Sequence, residues 1–184
     1  MARTESKMIK LGTKAPDFSI FSPLEKRNIS LSSLKKEKAT LIMFLSVHCP
    51  FVKHLNKQLS LFAKEFMPQG LGIIAINSND IEQYPEDSPE NMIVQSEQND
   101  FIFPYLFDET QEVAKNYGAQ CTPDFFLYDG DLELRYRGQF DDSRPGNNNE
   151  ITGKDLRLAV TALLNDKLPT VQQFPSVGCN IKWK

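Results

Sequence analysis

Two apolar runs predict buried strands on either side of a helix. Residues 40–45 and 71–76 are almost entirely apolar and lack the alternation of a half-exposed strand. Such runs are typical of strands that are covered on both faces of a sheet. Between them, apolar residues recur at three- and four-residue steps, as an amphipathic helix requires: Val52, Leu55, Leu59, Phe62 and Phe66. The order strand, helix, strand predicts a right-handed crossover with parallel strands.

Turn and cap residues delimit the elements before and after this unit. Residues 11–20 and 28–31 predict an N-terminal hairpin with a charged tip. Ser88 followed by Pro89 predicts the start of an inserted helix that ends near Asn99. Residues 101–107 predict a short strand.

The second half of the chain predicts a helix, a hairpin and a closing helix. Apparent capping boxes begin the two helices, at Asp108 with Gln111 and at Thr152 with Asp155. Residues 125–137 predict an antiparallel hairpin that turns at Asp129-Gly130.

These elements predict an α/β fold in one domain over residues 1–184. Buried strands that alternate with helices indicate a central mixed sheet with helices on both faces. We expect residues 1–10 to form a loose tail. We expect residues 167–184 to be a C-terminal extension packed on the domain, because this periodless tail contains Phe174 and Trp183.

Cys49 stands at the turn between the first apolar run and the helix. Pro50 suits the first helical position, which makes Cys49 the predicted N-cap. Helix amides and the positive end of the helix dipole favour a thiolate there. His48, Lys53 and His54 supply further positive or titratable groups. The alternative is an unreactive cysteine that only packs in the core, since cysteines are among the most buried residues.

Composition narrows the class of protein. A net charge of -3 over 184 residues provides no basic footprint for nucleic acid. No apolar run reaches the length of a membrane span, and residues 1–10 lack the apolar core of a signal peptide. We therefore expect a soluble cytoplasmic protein. Three cysteines, an odd and sparse set, indicate thiol chemistry and not a disulfide framework.

The order of elements, with a cysteine at the first strand–helix turn and Thr122-Pro123 before a later strand, resembles the thioredoxin fold. Several segments are similar to bacterial peroxiredoxin-like proteins of the thioredoxin superfamily, which include redoxins of the alkyl hydroperoxide reductase and thiol-specific antioxidant type. They are residues 11–18, 48–53, 76–80, 84–92, 121–127, 141–146 and 178–184. The resemblance covers nearly the whole chain and implies a thioredoxin-like fold with an N-terminal hairpin, an inserted helix and a C-terminal tail.

Two alignments of Cys49 follow from the resemblance. In the preferred one, Cys49 is the first cysteine of a thioredoxin Cys-x-x-Cys, and Val52 replaces the second. In the other, Cys49 is a peroxidatic cysteine preceded by Ser46, but Ile42 stands where the peroxiredoxin pattern has proline. The resemblance implies a thiol-dependent oxidoreductase, an antioxidant that reduces peroxide or exchanges disulfides.

The resemblance also implies roles around Cys49. Thr122-Pro123 resembles the cis-proline that faces the active cysteine, so Thr122, Pro123 and His48 are expected to contact substrate. Cys121, which borders that proline, is the first candidate to resolve Cys49, and Cys179 in the tail is the second. The alternative is that neither thiol reacts. Asp124 is expected either to carry a proton or to cap the local turn.

The sequence also leads to expectations about partners and to two alternative functions. The resemblance implies a thioredoxin- or glutathione-type reductant, a peroxide or disulfide substrate, no bound cofactor and a possible homodimer. Arg135, Arg137 and Arg144 are candidates either to lower the Cys49 pKa or to bind an acidic substrate. One alternative is a redox-inactive thioredoxin-fold binding module. Another is a copper carrier, because Cys49 with His48 or His54 offers suitable ligand types.

Overall fold

The computed structural model describes residues 3–184, so the first two residues of the predicted N-terminal tail lie outside the described part. The strands are β1 (Arg3–Glu5), β2 (Ser19–Ser22), β3 (Arg27–Ser30), β4 (Ala39–Phe44), β5 (Leu71–Asn77), β6 (Tyr105–Phe107), β7 (Cys121–Thr122), β8 (Asp124–Asp129), β9 (Leu134–Gly138) and β10 (Val177–Asn180). The helices are α1 (Leu31–Leu34), α2 (Pro50–Phe66), α3 (Pro89–Gln98), α4 (Glu112–Tyr117) and α5 (Lys154–Leu164). Within residues 3–184, none of the helices is long and apolar enough to cross a membrane.

A seven-stranded mixed sheet forms the centre of the fold, in the order β3-β2-β6-β5-β4-β8-β9. β4 and β5 are parallel, which confirms the predicted crossover through α2. β8 runs antiparallel to β4 and forms a hairpin with β9. Every residue of β4 and β5 is buried, as the continuous apolar runs indicated.

Helices cover both faces of this sheet. Leu41 and Met43 of β4 point to the face that packs against α2 and α5, and Cys49 belongs to this apolar cluster. Ile42 and Phe44 point to the other face, which packs against α1 and α4. The alternation of side chains along a strand therefore divides the core into two layers. The predicted α/β class with a mixed, two-faced sheet is confirmed.

A second, smaller sheet was not predicted. It has three strands in the order β1-β10-β7, and both pairings are antiparallel. The predicted loose N-terminal tail is wrong for residues 3–5, because they form β1 and hydrogen-bond to β10. The C-terminal segment supplies the middle strand of this sheet and so packs on the domain.

The predicted starts of α2 and α3 are correct, and in both helices the capping residue directly precedes the first turn. Cys49 is the N-cap of α2 with Pro50 at the first position. Ser88 caps α3, and its hydroxyl accepts from the amide of Asn91. Both expectations rested on residues adjacent to the cap.

The two predicted capping boxes are wrong. Gln111 donates to the carbonyl oxygens of Ser78 and Lys182, so it does not close a box with Asp108. α5 begins after Gly153, which has φ +67° and no side-chain cap.

The buried carboxylate of Asp141 organises the entry to α5. It accepts backbone hydrogen bonds from Ser143 at 2.9 Å, Thr152 at 2.7 Å and Gly153 at 2.6 Å. One side chain therefore joins both ends of the loop that precedes the helix.

Replacing Asp141 is expected to destabilise the fold. Asp141→Ala leaves three backbone amides without their acceptor, at a cost of about 3 kcal/mol in the free energy of unfolding. Chemical denaturation measures this loss. The neighbouring exposed Asp142→Ala is the matched control and should change stability much less. Equal effects of the two substitutions would contradict the role given to Asp141.

Candidate active site

Cys49 follows the turn between β4 and α2, as the N-cap of α2, and its side chain is completely buried. Its amide donates to the hydroxyl of Ser46 at 3.3 Å. Its sulfur lies 3.1 Å from the carbonyl oxygen of Thr122, which accepts from the protonated thiol. The site is therefore formed by the N-terminus of a helix and by the segment that contains Thr122.

The peptide bond between Thr122 and Pro123 is cis, which confirms the expectation from the resemblance. Thr122 is the last residue of β7, and Pro123 leads directly into β8. This places the backbone of Thr122 against the sulfur of Cys49.

The structure brings Cys179 to Cys49. Cys179 is in β10 and stands opposite Thr122 in the antiparallel pairing with β7. The side chains of Cys179 and Cys49 are hydrogen-bonded, and both belong to the same apolar cluster. The second sequence candidate for a resolving thiol is thus in contact with the first thiol.

Cys121, the first sequence candidate, has a different environment. Its sulfur lies 3.7 Å from the carbonyl oxygen of Pro123. It precedes Thr122 on a strand, where successive side chains point in opposite directions. Its pairing partner in β10 is Asn180. Proximity along the chain to the cis-proline therefore did not place this thiol beside Cys49.

Hydrogen bonding lowers the pKa of Cys49 to about 6. The largest cause is the hydrogen bond from Cys179, and burial opposes it. The Thr122 side chain and the amides of Val52 and Cys179 also favour the thiolate. A thiolate at neutral pH is the form that attacks disulfides and peroxides.

The other two thiols are held in the protonated form. The pKa of Cys179 is raised because its hydrogen bond with Cys49 and its burial both favour the thiol. Lys182 opposes this shift. Burial and the nearby carboxyl of Asp124 raise the pKa of Cys121. The site thus contains one thiol with a lowered pKa and, beside it, one thiol that donates a hydrogen bond to it.

Asp87 holds the turn that precedes Cys49. It ends a short 3-10 helix, Pro85–Asp87, and its carboxylate is fully buried. It accepts from the amide of Val47 at 2.6 Å and from the side chain of Asn79 at 2.7 Å. The hydroxyl of Ser46 also donates to it, at 3.0 Å. The sequence reasoning missed this residue, although residues 84–92 were among the family-like segments.

Asp87 also binds His48. The distance from its Oδ2 to His48 Nδ1 is 2.5 Å. This hydrogen bond raises the pKa of His48. Although burial opposes it, hydrogen bonds from His48 and Asn79 keep the pKa of Asp87 below its usual range.

The outer side of His48 borders the site. Its ring stacks on Tyr84 with centroids 5.5 Å apart. Its Nε2 is buried and makes no hydrogen bond to any described residue. With Nδ1 bound to Asp87, Nε2 is the ring atom that remains available as a proton donor.

Asp124 is a second buried carboxyl close to the cis-proline. Its Oδ2 accepts weakly from the amide of Gln120 at 3.4 Å, which is the predicted turn contact. Its Oδ1 has no partner among residues 3–184. Burial raises its pKa well above the ordinary value.

Other candidates have different partners. His54 Nε2 lies 2.8 Å from the hydroxyl of Ser143. Arg135 pairs with Asp129 and Glu133, whereas Arg137 and Arg144 bind Gln173 and Gln139 respectively. In the described part of the chain, no group of three or more His, Cys, Asp or Glu residues is arranged to hold a metal ion.

The chain is similar to a known protein family and to named relatives. The AhpC/TSA family model matches residues 11–137. Thiol-disulfide oxidoreductase ResA of Bacillus cereus is 30% identical over 128 residues, which are 69% of this chain and 68% of that protein.

Solved structures of other proteins are also similar to this chain. An uncharacterized conserved protein from Geobacillus kaustophilus is 51% identical with a TM-score of 0.98, covering 100% of this chain and 97% of its own. A hypothetical protein from Sinorhizobium meliloti is 47% identical with a TM-score of 0.96, covering 98% of each chain. The thioredoxin domain of a thiol-disulfide oxidoreductase from Bacteroides vulgatus is 17% identical, with a TM-score of 0.60 and coverage of 74% of this chain and 90% of its own. The last comparison confirms the thioredoxin-like fold.

Removing the Cys179 thiol is expected to raise the pKa of Cys49. In Cys179→Ala, the midpoint of thiolate formation should move from about 6 towards the ordinary thiol value of about 8.5. The ultraviolet absorbance of the thiolate as a function of pH measures this midpoint. Cys121→Ala is the matched control and should leave it in place. An unchanged midpoint in Cys179→Ala would contradict the assigned hydrogen bond.

Proposed function

Because this chain belongs to the AhpC/TSA family, we propose that it is a thiol-dependent oxidoreductase whose Cys49 and Cys179 cycle between dithiol and disulfide. The observation that carries the proposal is the hydrogen bond between the two cysteines beside the cis-proline. The similarity to ResA, a protein named for thiol-disulfide exchange, supports it.

The first step is attack by the Cys49 thiolate on an oxidised substrate. With a disulfide, a bond forms from Cys49 to one substrate sulfur, and the other sulfur leaves as a thiolate and takes up a proton. With a hydroperoxide, the O–O bond breaks, Cys49 becomes a sulfenic acid and the second oxygen leaves as an alcohol or water. The low pKa of Cys49 supports either reaction at neutral pH.

The second step is attack by Cys179 on the modified Cys49. Interaction with the Cys49 thiolate is the largest reason why the Cys179 pKa is high. Once Cys49 has reacted, its negative charge is gone, whereas the opposing influence of Lys182 remains. Cys179 can then lose its proton more easily, form the disulfide and expel the substrate thiolate or water. The first step thus prepares the second nucleophile.

His48 and Asp87 serve as the proposed source of the proton for the leaving group. Asp87 binds Nδ1 and favours the protonated imidazole, while Nε2 is buried and has no partner among residues 3–184. His48 is also adjacent to Cys49 in sequence. This assignment gives the predicted substrate-contacting residue a defined chemical role.

An external thiol is needed to complete the cycle. We propose a thioredoxin- or glutathione-type reductant, which attacks the disulfide and returns both cysteines to thiols. A cytoplasmic location suits this proposal, because such reductants maintain thiols there. An antioxidant role follows if the physiological substrate is a peroxide.

Counting thiols after a single turnover tests the proposal. After reaction with hydrogen peroxide in the absence of reductant, the wild-type protein should lose two of its three thiols. Cys121→Ser should still lose two, at a rate within about twofold of wild type, because Cys121 takes no part. Cys179→Ser should lose only one and accumulate sulfenic acid on Cys49.

Cys49→Ser is the negative control and should retain its remaining thiols. The proposal would be wrong if Cys121→Ser, and not Cys179→Ser, stopped the reaction at the sulfenic acid. Resistance of the wild-type protein to both peroxide and a small disulfide would instead favour the binding-module alternative.

A further inference from the structure

The edge of β7 beside Cys49 is already occupied by the protein's own C-terminal strand. Cys179 and Asn180 pair with Thr122 and Cys121 in antiparallel register. β1 pairs with the other edge of β10. An extended polypeptide that adds to a sheet needs an exposed strand edge. The backbone next to the reactive sulfur therefore offers no such edge while β10 is in place.

Gly178 allows β10 to lie unusually close to the cis-proline segment. A Cβ atom at this position would lie 2.0 Å from the carbonyl oxygen of Thr122 and 3.1 Å from the nitrogen of Pro123. Both neighbours are backbone atoms, so they cannot rotate away. Any side chain at position 178 must push the two strands apart.

The segment is also fixed on both sides of β10. Before it, the Ser176 amide donates to the Ser6 hydroxyl at 2.8 Å, and the Ser176 hydroxyl donates to the carbonyl oxygen of Pro123 at 2.7 Å. After it, Ile181 is 1% exposed within the second apolar cluster. Opening the edge therefore requires several interactions to break together.

Lys182 and Lys184 add a second set of attachments. The amide of Lys182 donates to Asn79 Oδ1 at 2.8 Å, and its carbonyl accepts from the amide of Asp80 at 2.8 Å. Gln111 binds the Lys182 carbonyl and accepts from the amide of Lys184. The chain that follows β10 is therefore held to the rest of the domain by several hydrogen bonds.

We propose that β10, closed against Thr122 through Gly178, makes Cys49 selective for oxidants of low molecular mass and excludes disulfides presented by polypeptide chains. The inference rests on the proposed function, since it concerns which oxidants reach Cys49. The sulfur is completely buried, so every oxidant needs some opening to reach it, and a small oxidant needs a smaller opening than an extended chain does. A polypeptide disulfide needs the whole of β10 to leave. A protein reductant meets the same barrier, so of the two reductant types proposed above the selectivity favours the glutathione type.

Two disulfides of different size test the proposal with the same chemistry. The reduced full-length protein is mixed with hydroxyethyl disulfide or with insulin, and the loss of protein thiols is followed over time. Wild type should react with the small disulfide and not measurably with insulin. Gly178→Ala should increase the insulin rate by about tenfold or more, because the rate follows the population of the open form. Its rate with the small disulfide should not rise in parallel, because displacing β10 also moves Cys179 away from Cys49.

Two further variants separate strand displacement from general destabilisation. Gly70→Ala, at φ +103° after α2, strains the backbone away from the site and leaves β10 in place, so it should not admit insulin. Ser176→Ala removes one buried hydrogen bond of the residue that precedes β10 and should give a smaller increase than Gly178→Ala. If Gly178→Ala does not fold, Ser176→Ala is the variant that tests the proposal.

The outcomes distinguish a failure of the size selectivity from a failure of the proposed function. If wild type reacts with insulin as fast as the β10 variants do, the size selectivity is wrong and the dithiol cycle stands. If neither hydroxyethyl disulfide nor hydrogen peroxide oxidises wild type, the proposed function is wrong and the selectivity falls with it. A gain of insulin reactivity in Gly70→Ala equal to that in Gly178→Ala would also overturn the selectivity.

Discussion

The pairing of β10 with β7 is the constraint on which the candidate site depends. It places Cys179 opposite Thr122, beside the sulfur of Cys49, and covers that sulfur from solvent. The same contact lowers the pKa of one thiol and raises that of the other. Reactivity, resolution and access are therefore linked through one short strand, which explains why so many interactions fix it.

A second constraint acts from the opposite side of Cys49. Burying the carboxylate of Asp87 is costly unless it is neutralised and hydrogen-bonded. His48, Asn79 and the turn amides satisfy it, and in doing so they fix the backbone that leads to Cys49. Because Asp87 lies in the 3-10 helix that directly precedes α3, this part of the chain supports the site.

The features that sequence predicted are those determined by neighbouring residues. Cys49 before Pro50 and Ser88 before Pro89 are helix caps that depend only on residues within one helical turn. Both caps were predicted correctly. The continuous apolar runs specified β4 and β5 because both faces of these strands are buried.

The features that sequence did not predict are long-range. β10 has no periodic signal, and its partners β1 and β7 are far away in sequence, so the choice of Cys179 over Cys121 as the contact of Cys49 could not be read from spacing. Asp87 has no local signal in the sequence, because its partners Val47, His48 and Asn79 come together only in the fold. The measurement that tests the central claim most directly is mass spectrometry of peptides from the peroxide-oxidised, unreduced protein. The account predicts a peptide pair linked through Cys49 and Cys179, and a link from Cys49 to Cys121, or none, would contradict it.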